Sequence, residues 1–234
     1  MDNLWERINM SGVTQAVFMN QRSFASGPEI GDAYEGGFFA GQISVAGNGV
    51  ASHNLVIAPK ATGQSANLQW KTVNTAGDPT SLIDGPANSA AMNSGTYPMA
   101  QFCENLSIGG YTDWYMPAYN ELEVCYYNLK PTTTSNNASS GINTNAVPSR
   151  GSNYTAGDPA QTVATDFQDT NTEAFVYAGS FRFYFSSTQW DASAPTQLAV
   201  RYVYFADGAA TYQGIPKTSS ASYYFVRAVR RVAV

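Results

Sequence analysis

Apolar residues gather in short β-like runs toward both ends of the chain and take up helical spacing only near its middle. Phe38-Phe39-Ala40-Gly41-Gln42-Ile43-Ser44-Val45 is rich in β-formers, Ala46-Gly47-Asn48-Gly49 carries turn chemistry, and Leu55-Val56-Ile57-Ala58-Pro59 is a second apolar run. Together they predict a hairpin. Residues 63–85 read as loop with one short strand, Asn67-Leu68-Gln69-Trp70-Lys71. From Pro86 through Leu106 small residues alternate with Met92, Met99, Phe102 and Leu106, the pattern of a helix packed on a sheet and interrupted around Gly95 and Pro98. A second helix is predicted to open at or just after Pro117, a favoured first-turn residue, and to end before Lys130-Pro131.

Beyond Phe175 strand signals dominate. Phe181-Arg182-Phe183-Tyr184-Phe185 is followed by Leu198-Ala199-Val200-Arg201-Tyr202-Val203-Tyr204-Phe205. An Asp207-Gly208 turn returns the chain toward Tyr212, and a final strand covers residues 223–232. Between helix and strands, residues 132–162 are Thr, Ser, Asn, Gly and Pro with few large side chains, a loop length that is usually functional or mobile. Residues 1–30 show no sustained period and are predicted to form an arm that attaches the chain to a larger assembly, leaving residues 31–234 as one domain. No repeat at solenoid or propeller period occurs.

Composition sharpens this picture. The 44% hydrophobic share of 234 residues supports a real core. Charged residues are only 12%, so Asn, Ser, Thr and Gln must supply most of the polar surface, as in many secreted and virion proteins. A net charge of -5 argues against nucleic acid as a partner. Arg201, Lys217, Arg227, Arg230 and Arg231 face Asp207 alone after residue 200, so that segment is +4 and the rest -9. Arginines on a terminal strand are more often ion-pair partners of the fold than a polyanion site. No apolar run reaches the ~18–20 residues of a membrane span. The first residues lack the basic-then-apolar order of a signal peptide, which predicts folding in a cytoplasm.

Catalytic chemistry finds little footing. The single histidine, His53, lies in a hairpin strand far in sequence from both cysteines, whereas nucleophilic triads need a histidine within hydrogen-bond reach. Cys103 and Cys125 read as buried free thiols, with a disulfide between two packed helices as the alternative. Two cysteines cannot build a zinc site. Glu121 and Glu123 stand two apart on a helix and so do not share a face. No metal and no cofactor are expected.

Three blocks resemble a known family. Trp114-Tyr115-Met116-Pro117-Ala118-Tyr119-Asn120-Glu121-Leu122, Tyr184-Phe185-Ser186-Ser187-Thr188 and Phe225-Val226-Arg227-Ala228-Val229-Arg230-Arg231 are similar, in this order, to the motifs of Lcl-type C-terminal domains of bacterial surface and phage virion proteins. Gly31-Asp32-Ala33-Tyr34-Glu35-Gly36-Gly37-Phe38-Phe39-Ala40-Gly41 looks like the N-terminal part of marine-phage proteins of this kind. More distantly, the chain resembles formylglycine-generating proteins and retroelement-diversified phage variable proteins. The resemblance implies an α+β, C-type-lectin-like fold with two helices, small antiparallel sheets and long loops. Tyr115 stands where the family has Arg, and Phe185 where it has Trp, the latter expected to be a core exchange. Glu121 falls on a structural glutamate of the family, expected to cap its helix or pair with a C-terminal arginine. The calcium-lectin tripeptides and the C-terminal cysteines of the formylglycine-generating enzymes are absent.

Residues 175–225 hold fourteen of the thirty-one aromatics, mixed with Ser, Thr, Ala, Asp and Gln as in antibody loops. Strand alternation places one set outward; Val203 and Phe205 are taken as core, and Tyr184, Trp190, Tyr202, Tyr204, Tyr212 and Gln213 as an outer, ligand-binding face. The expectation is a non-catalytic virion protein that recognises a host-surface glycan or protein from a tail-fibre tip or capsid-exposed spike. It would contact other virion proteins and form a homo-oligomer, with a trimer favoured, without membrane insertion. The alternative is a purely structural decoration or fibre subunit whose aromatic face is an oligomer interface.

Overall fold

The computed structural model describes residues 27–178, 182–190, 199–210, 215–221 and 224–234, so the expected arm falls almost wholly outside them. Strands β1 (Ala33–Tyr34), β2 (Gly37–Ile43) and β3 (His53–Ile57) form an antiparallel meander containing the expected hairpin. It has a bulge between Phe39 and Gly41, where Gly41 adopts φ +123°. Helix α1 (Lys60–Gly63) is a single turn leading into β4 (Gln64–Ala66). Residues 67–71 are not the strand their sequence predicts; Trp70 turns into the core and donates from Nε1 to the Ser186 carbonyl at 2.8 Å.

The predicted interruption between the middle helices is present. Helices α2 (Gly85–Ala91) and α3 (Pro98–Glu104) each carry proline in the first turn, and Asp84 caps the first by accepting from the Ala87 N–H. Helix α4 (Tyr119–Leu129) occupies the expected span between Pro117 and Lys130-Pro131. After it come β5 (Ala146–Val147), which pairs with β2, and a 3₁₀ turn at Thr165–Phe167. The polar loop of residues 132–162 is held by side chains. Lys130 Nζ donates to Asn136 Oδ1 and to the Thr134 and Pro159 carbonyls, and Asn136 returns an N–H to Pro159.

Strands β6 (Phe183–Gln189), β7 (Val200–Tyr204) and β8 (Tyr224–Arg227) complete a second sheet in the order β4-β8-β6-β7. Its β6–β8 pairing is parallel, so this sheet is mixed rather than antiparallel throughout. The predicted last strand is divided at Ala228. Residues before it pair within the second sheet, and β9 (Val229–Ala233) pairs with β3 in the first. Ala228 itself exchanges hydrogen bonds with Ala58 and Gly63, which ties the two sheets at one point. The architecture is thus mixed α+β with four helices among the described residues, two of them only seven residues long.

Both faces of the second sheet are covered. Tyr184, Val203 and Phe205 pack with Leu122, Cys125, Tyr126 and Leu129 of α4 and with Ile43, Leu55 and Ile57 of the first sheet. On the opposite face Phe185, Val200 and Tyr202 pack with Trp70, Met99, Trp114 and Met116. Both alternating sets are therefore covered over most of their length, with Phe183, Tyr204 and Tyr224 half-buried at one end, which corrects the outward placement of Tyr184 and Tyr202. Their exposures are 0% and 4%. Val203 and Phe205 are core as expected, and so is Phe185. No helix among the described residues is long and apolar enough to cross a membrane.

Candidate functional site

The three sequence blocks meet at one corner. Ala118 has no side-chain oxygen to cap α4, so the first-turn N–H groups must find other acceptors. Glu121 reaches back to the Ala118 N–H at 2.8 Å, half of a capping box. Tyr119 N–H donates to Thr188 Oγ1 at 3.0 Å, and Asn120 N–H to the Leu82 carbonyl at 2.8 Å. Glu121 Oε1 also accepts from Tyr115 Oη at 2.5 Å and from Arg231 Nε at 2.7 Å. The fully buried Ser186, Ser187 and Thr188 bind the Arg201, Pro117 and Ser81 backbones respectively. Close approach is required here: a Cβ on Gly85 would lie 2.1 Å from Glu121 Oε2 and 2.6 Å from the Tyr115 ring.

The remaining chemistry-bearing groups are also tied into the fold. Glu123 accepts from Arg150, Tyr154 and Asn143. Burial lifts the carboxyls of Glu121 and Glu123 above the ordinary glutamate range, and the Arg231 and Arg150 guanidiniums offset this only in part. Cys103 and Cys125 are free and buried, and burial pushes both thiols up, away from the thiolate a nucleophile needs. His53 lies in β3 beside Ser52, its pKa lowered by burial and then by Arg231. The C-terminal cations pair within the fold as expected: Arg227 with Glu173, Arg230 with Asp113, Arg231 with Glu121 and Lys217 with Asp78.

A groove opens beside the first turn of α4, with a volume of about 340 Å³. Tyr119, Leu82 and Ile142 bring apolar surface to it, Ser140 and Asn153 bring polar groups, and Arg201 of β7 closes one side. Leu82 and Ile142 are exposed at 39% and 55%, although most large apolar side chains here are buried. The Arg201 guanidinium lies 4.0 Å from the Trp190 ring centroid and 5.2 Å from that of Tyr119, a cation–π arrangement that lines up all three. Burial, and secondarily Glu123, pushes the Tyr119 phenol up to about 12, so it stays protonated and able to donate.

The groove's floor is rigid. Asn143 donates to the Asn120 carbonyl at 2.8 Å and to Glu123, while its Oδ1 takes the Asn145 N–H at 3.0 Å. Asn120 Nδ2 donates to Asn145 Oδ1 at 2.7 Å. Gly141 adopts φ +121°, and a Cβ there would lie 2.6 Å from the Tyr154 backbone nitrogen, so the loop takes this path only with glycine. Ser140 Oγ accepts from the Ala210 N–H, joining the loop to the turn that follows β7.

Of the residues expected to bind ligand, Trp190 is half-buried and stacks on the Arg201 that lines this groove. Tyr204 is half-buried elsewhere, in an aromatic row with Phe183 and Tyr224 across three strands. Tyr184 and Tyr202 are interior, and Tyr212 and Gln213 lie outside the described residues. Sequence reasoning missed Tyr119, Leu82 and Ile142. Ile142 did carry a signal, as a large aliphatic residue alone in a polar loop. Comparison of the chain with family models, curated proteins and solved structures finds no match in any of the three.

Proposed function

We propose that the chain is a non-catalytic recognition subunit of a phage particle, resting on a C-type-lectin-like scaffold and binding the host surface. The observation that carries this reading is a division of labour within the molecule. Glu121, Glu123 and both thiols are buried and Arg227, Arg230 and Arg231 are paired, while the groove beside Tyr119 gathers exposed aliphatic side chains, an aromatic–guanidinium stack and a hydrogen-bonded polar floor. Such preorganisation favours binding, because little side-chain freedom remains to be lost. The motif blocks that resemble phage virion proteins build the corner on which the groove stands. The half-buried row of Tyr224, Phe183 and Tyr204 favours a second reading, in which an aromatic face joins copies of a structural subunit.

Labelled protein titrated onto a panel of bacterial strains separates the two. The recognition reading expects saturable binding to some strains, weakened about tenfold, or roughly 1.4 kcal/mol, by Trp190→Ala with an unchanged oligomeric state in light scattering. Absence of binding from every strain, with oligomers lost on Tyr204→Ser, would instead establish the structural subunit.

A further inference from the structure

We propose that the groove beside α4 binds a neutral saccharide; this rests on the recognition reading and gives its site a ligand class. The volume of about 340 Å³ lies at the small end of the ~300–1,000 Å³ typical of small-molecule sites, so it suits the end of an oligosaccharide rather than a folded domain. A sugar ring presents apolar C–H faces and a rim of hydroxyls. The groove offers the complement. Tyr119, Leu82 and Ile142 supply apolar surface, and the hydroxyls of Ser139 and Thr144 and the amide of Asn153 can each both donate and accept.

Other ligand classes fit less well. A divalent cation needs several oxygen ligands, commonly carboxylates, and no Asp or Glu lines the groove among the described residues. Among the described residues Arg201 is its single lining cation and is layered against Trp190, whereas polyanion sites gather several cations. A peptide held by strand addition needs an open strand edge. This groove is walled by a helix start and a loop, with the Asn143 amide already committed to the Asn120 carbonyl, Glu123 and the Asn145 N–H, and the Asn120 amide to Asn145 Oδ1.

The test is a glycan array carrying neutral hexose, N-acetylhexosamine and heptose oligomers beside uronic, sialylated and sulfated ones, probed with the full chain. Binding is expected on neutral glycans only, falling about tenfold in Ile142→Glu, whose exposed position leaves the melting temperature unchanged, and in Tyr119→Leu. No retained glycan, retention of acidic glycans only, or equal retention by both variants overturns the proposal. In parallel, strains that bind the protein are treated with periodate, which cleaves vicinal diols, or with proteinase. Loss after periodate and survival of proteinase supports the saccharide. The reverse pattern refutes it and leaves host recognition standing, whereas absence of binding to untreated strains removes the recognition reading itself.

Discussion

Asp78→Asn is expected to cost about 3–5 kcal/mol, because it leaves two buried ammonium groups without their counter-charge. Asp78 Oδ1 accepts from Lys71 Nζ at 2.6 Å and Oδ2 from Lys217 Nζ at 2.5 Å, and Tyr97 Oη adds a third hydrogen bond. Lys217 is fully buried and donates also to Gln189 Oε1 and the Thr75 carbonyl, so the cluster ties the 71–78 loop, β6 and the segment before β8 together. Two cations face one anion, and burial lowers the Lys217 pKa despite Asp78. Lys217 is therefore the dispensable cation. Lys217→Met leaves a neutral Lys71–Asp78 pair and should cost only about 1–2 kcal/mol.

Acid should show the same asymmetry. Burial alone would raise the Asp78 pKa, but Lys217, Lys71 and Tyr97 outweigh it and hold the carboxyl below its ordinary range. A carboxylate depressed in the folded state contributes stability that is complete above its unfolded pKa of about 3.9 and is lost as pH falls through the folded value. The stability difference between wild type and Asp78→Asn is therefore constant near neutrality and shrinks below about pH 4. Glu121 and Glu123, whose shifts run the other way, are common to both proteins and cancel. Urea titrations at several pH values measure the difference; a constant gap down to pH 2 would contradict a depressed Asp78.

Arg227→Met should be comparably damaging, at about 3–5 kcal/mol. This guanidinium is fully buried at the end of β8, one residue before the chain changes sheets. Nε donates to the Ala58 carbonyl at 2.8 Å, Nη1 to the Glu173 carbonyl at 2.7 Å and Nη2 to Glu173 Oε2 at 2.5 Å. Its Cζ sits 4.9 Å from the Phe175 ring centroid. Methionine fills similar volume but leaves the Ala58 and Glu173 carbonyls without this donor and the Glu173 carboxylate without its guanidinium, still holding the Lys60 N–H at 2.7 Å. Arg227→Lys keeps the charge without the planar fork and should recover only part of the loss. A urea midpoint for Arg227→Lys equal to wild type would show that charge alone matters there.

The hairpin, the span of α4 and the break near Pro98 were legible from local pattern, whereas the capping by Glu121 or its pairing with a C-terminal arginine was expected only from the resemblance of the motif blocks. Turn chemistry, proline positions and i-to-i+4 spacing act within a few residues, and they agree with the tertiary result. What escaped was set by distant partners. Alternation along β6 and β7 shows that Tyr184 and Tyr202 point away from their neighbours, but only the packing shows that both directions end in core. The strand expected at residues 67–71 gave way because Trp70 gains a buried site and a carbonyl partner by leaving the extended path. The groove was invisible for the same reason. Leu82, Tyr119, Ile142 and Arg201 come from four separate segments, and of the expected ligand residues that are described, Trp190 stands next to them.

On the proposed reading, recognition resides in the groove beside α4, not in the motif residues that build the corner. The most direct measurement is the equilibrium binding isotherm of labelled protein on cells for wild type, Ile142→Glu and Val163→Glu, the last a control at an 88% exposed residue outside the groove. The account predicts an affinity loss of about tenfold or more for Ile142→Glu and a wild-type isotherm for Val163→Glu. Superimposable isotherms for all three proteins would contradict it.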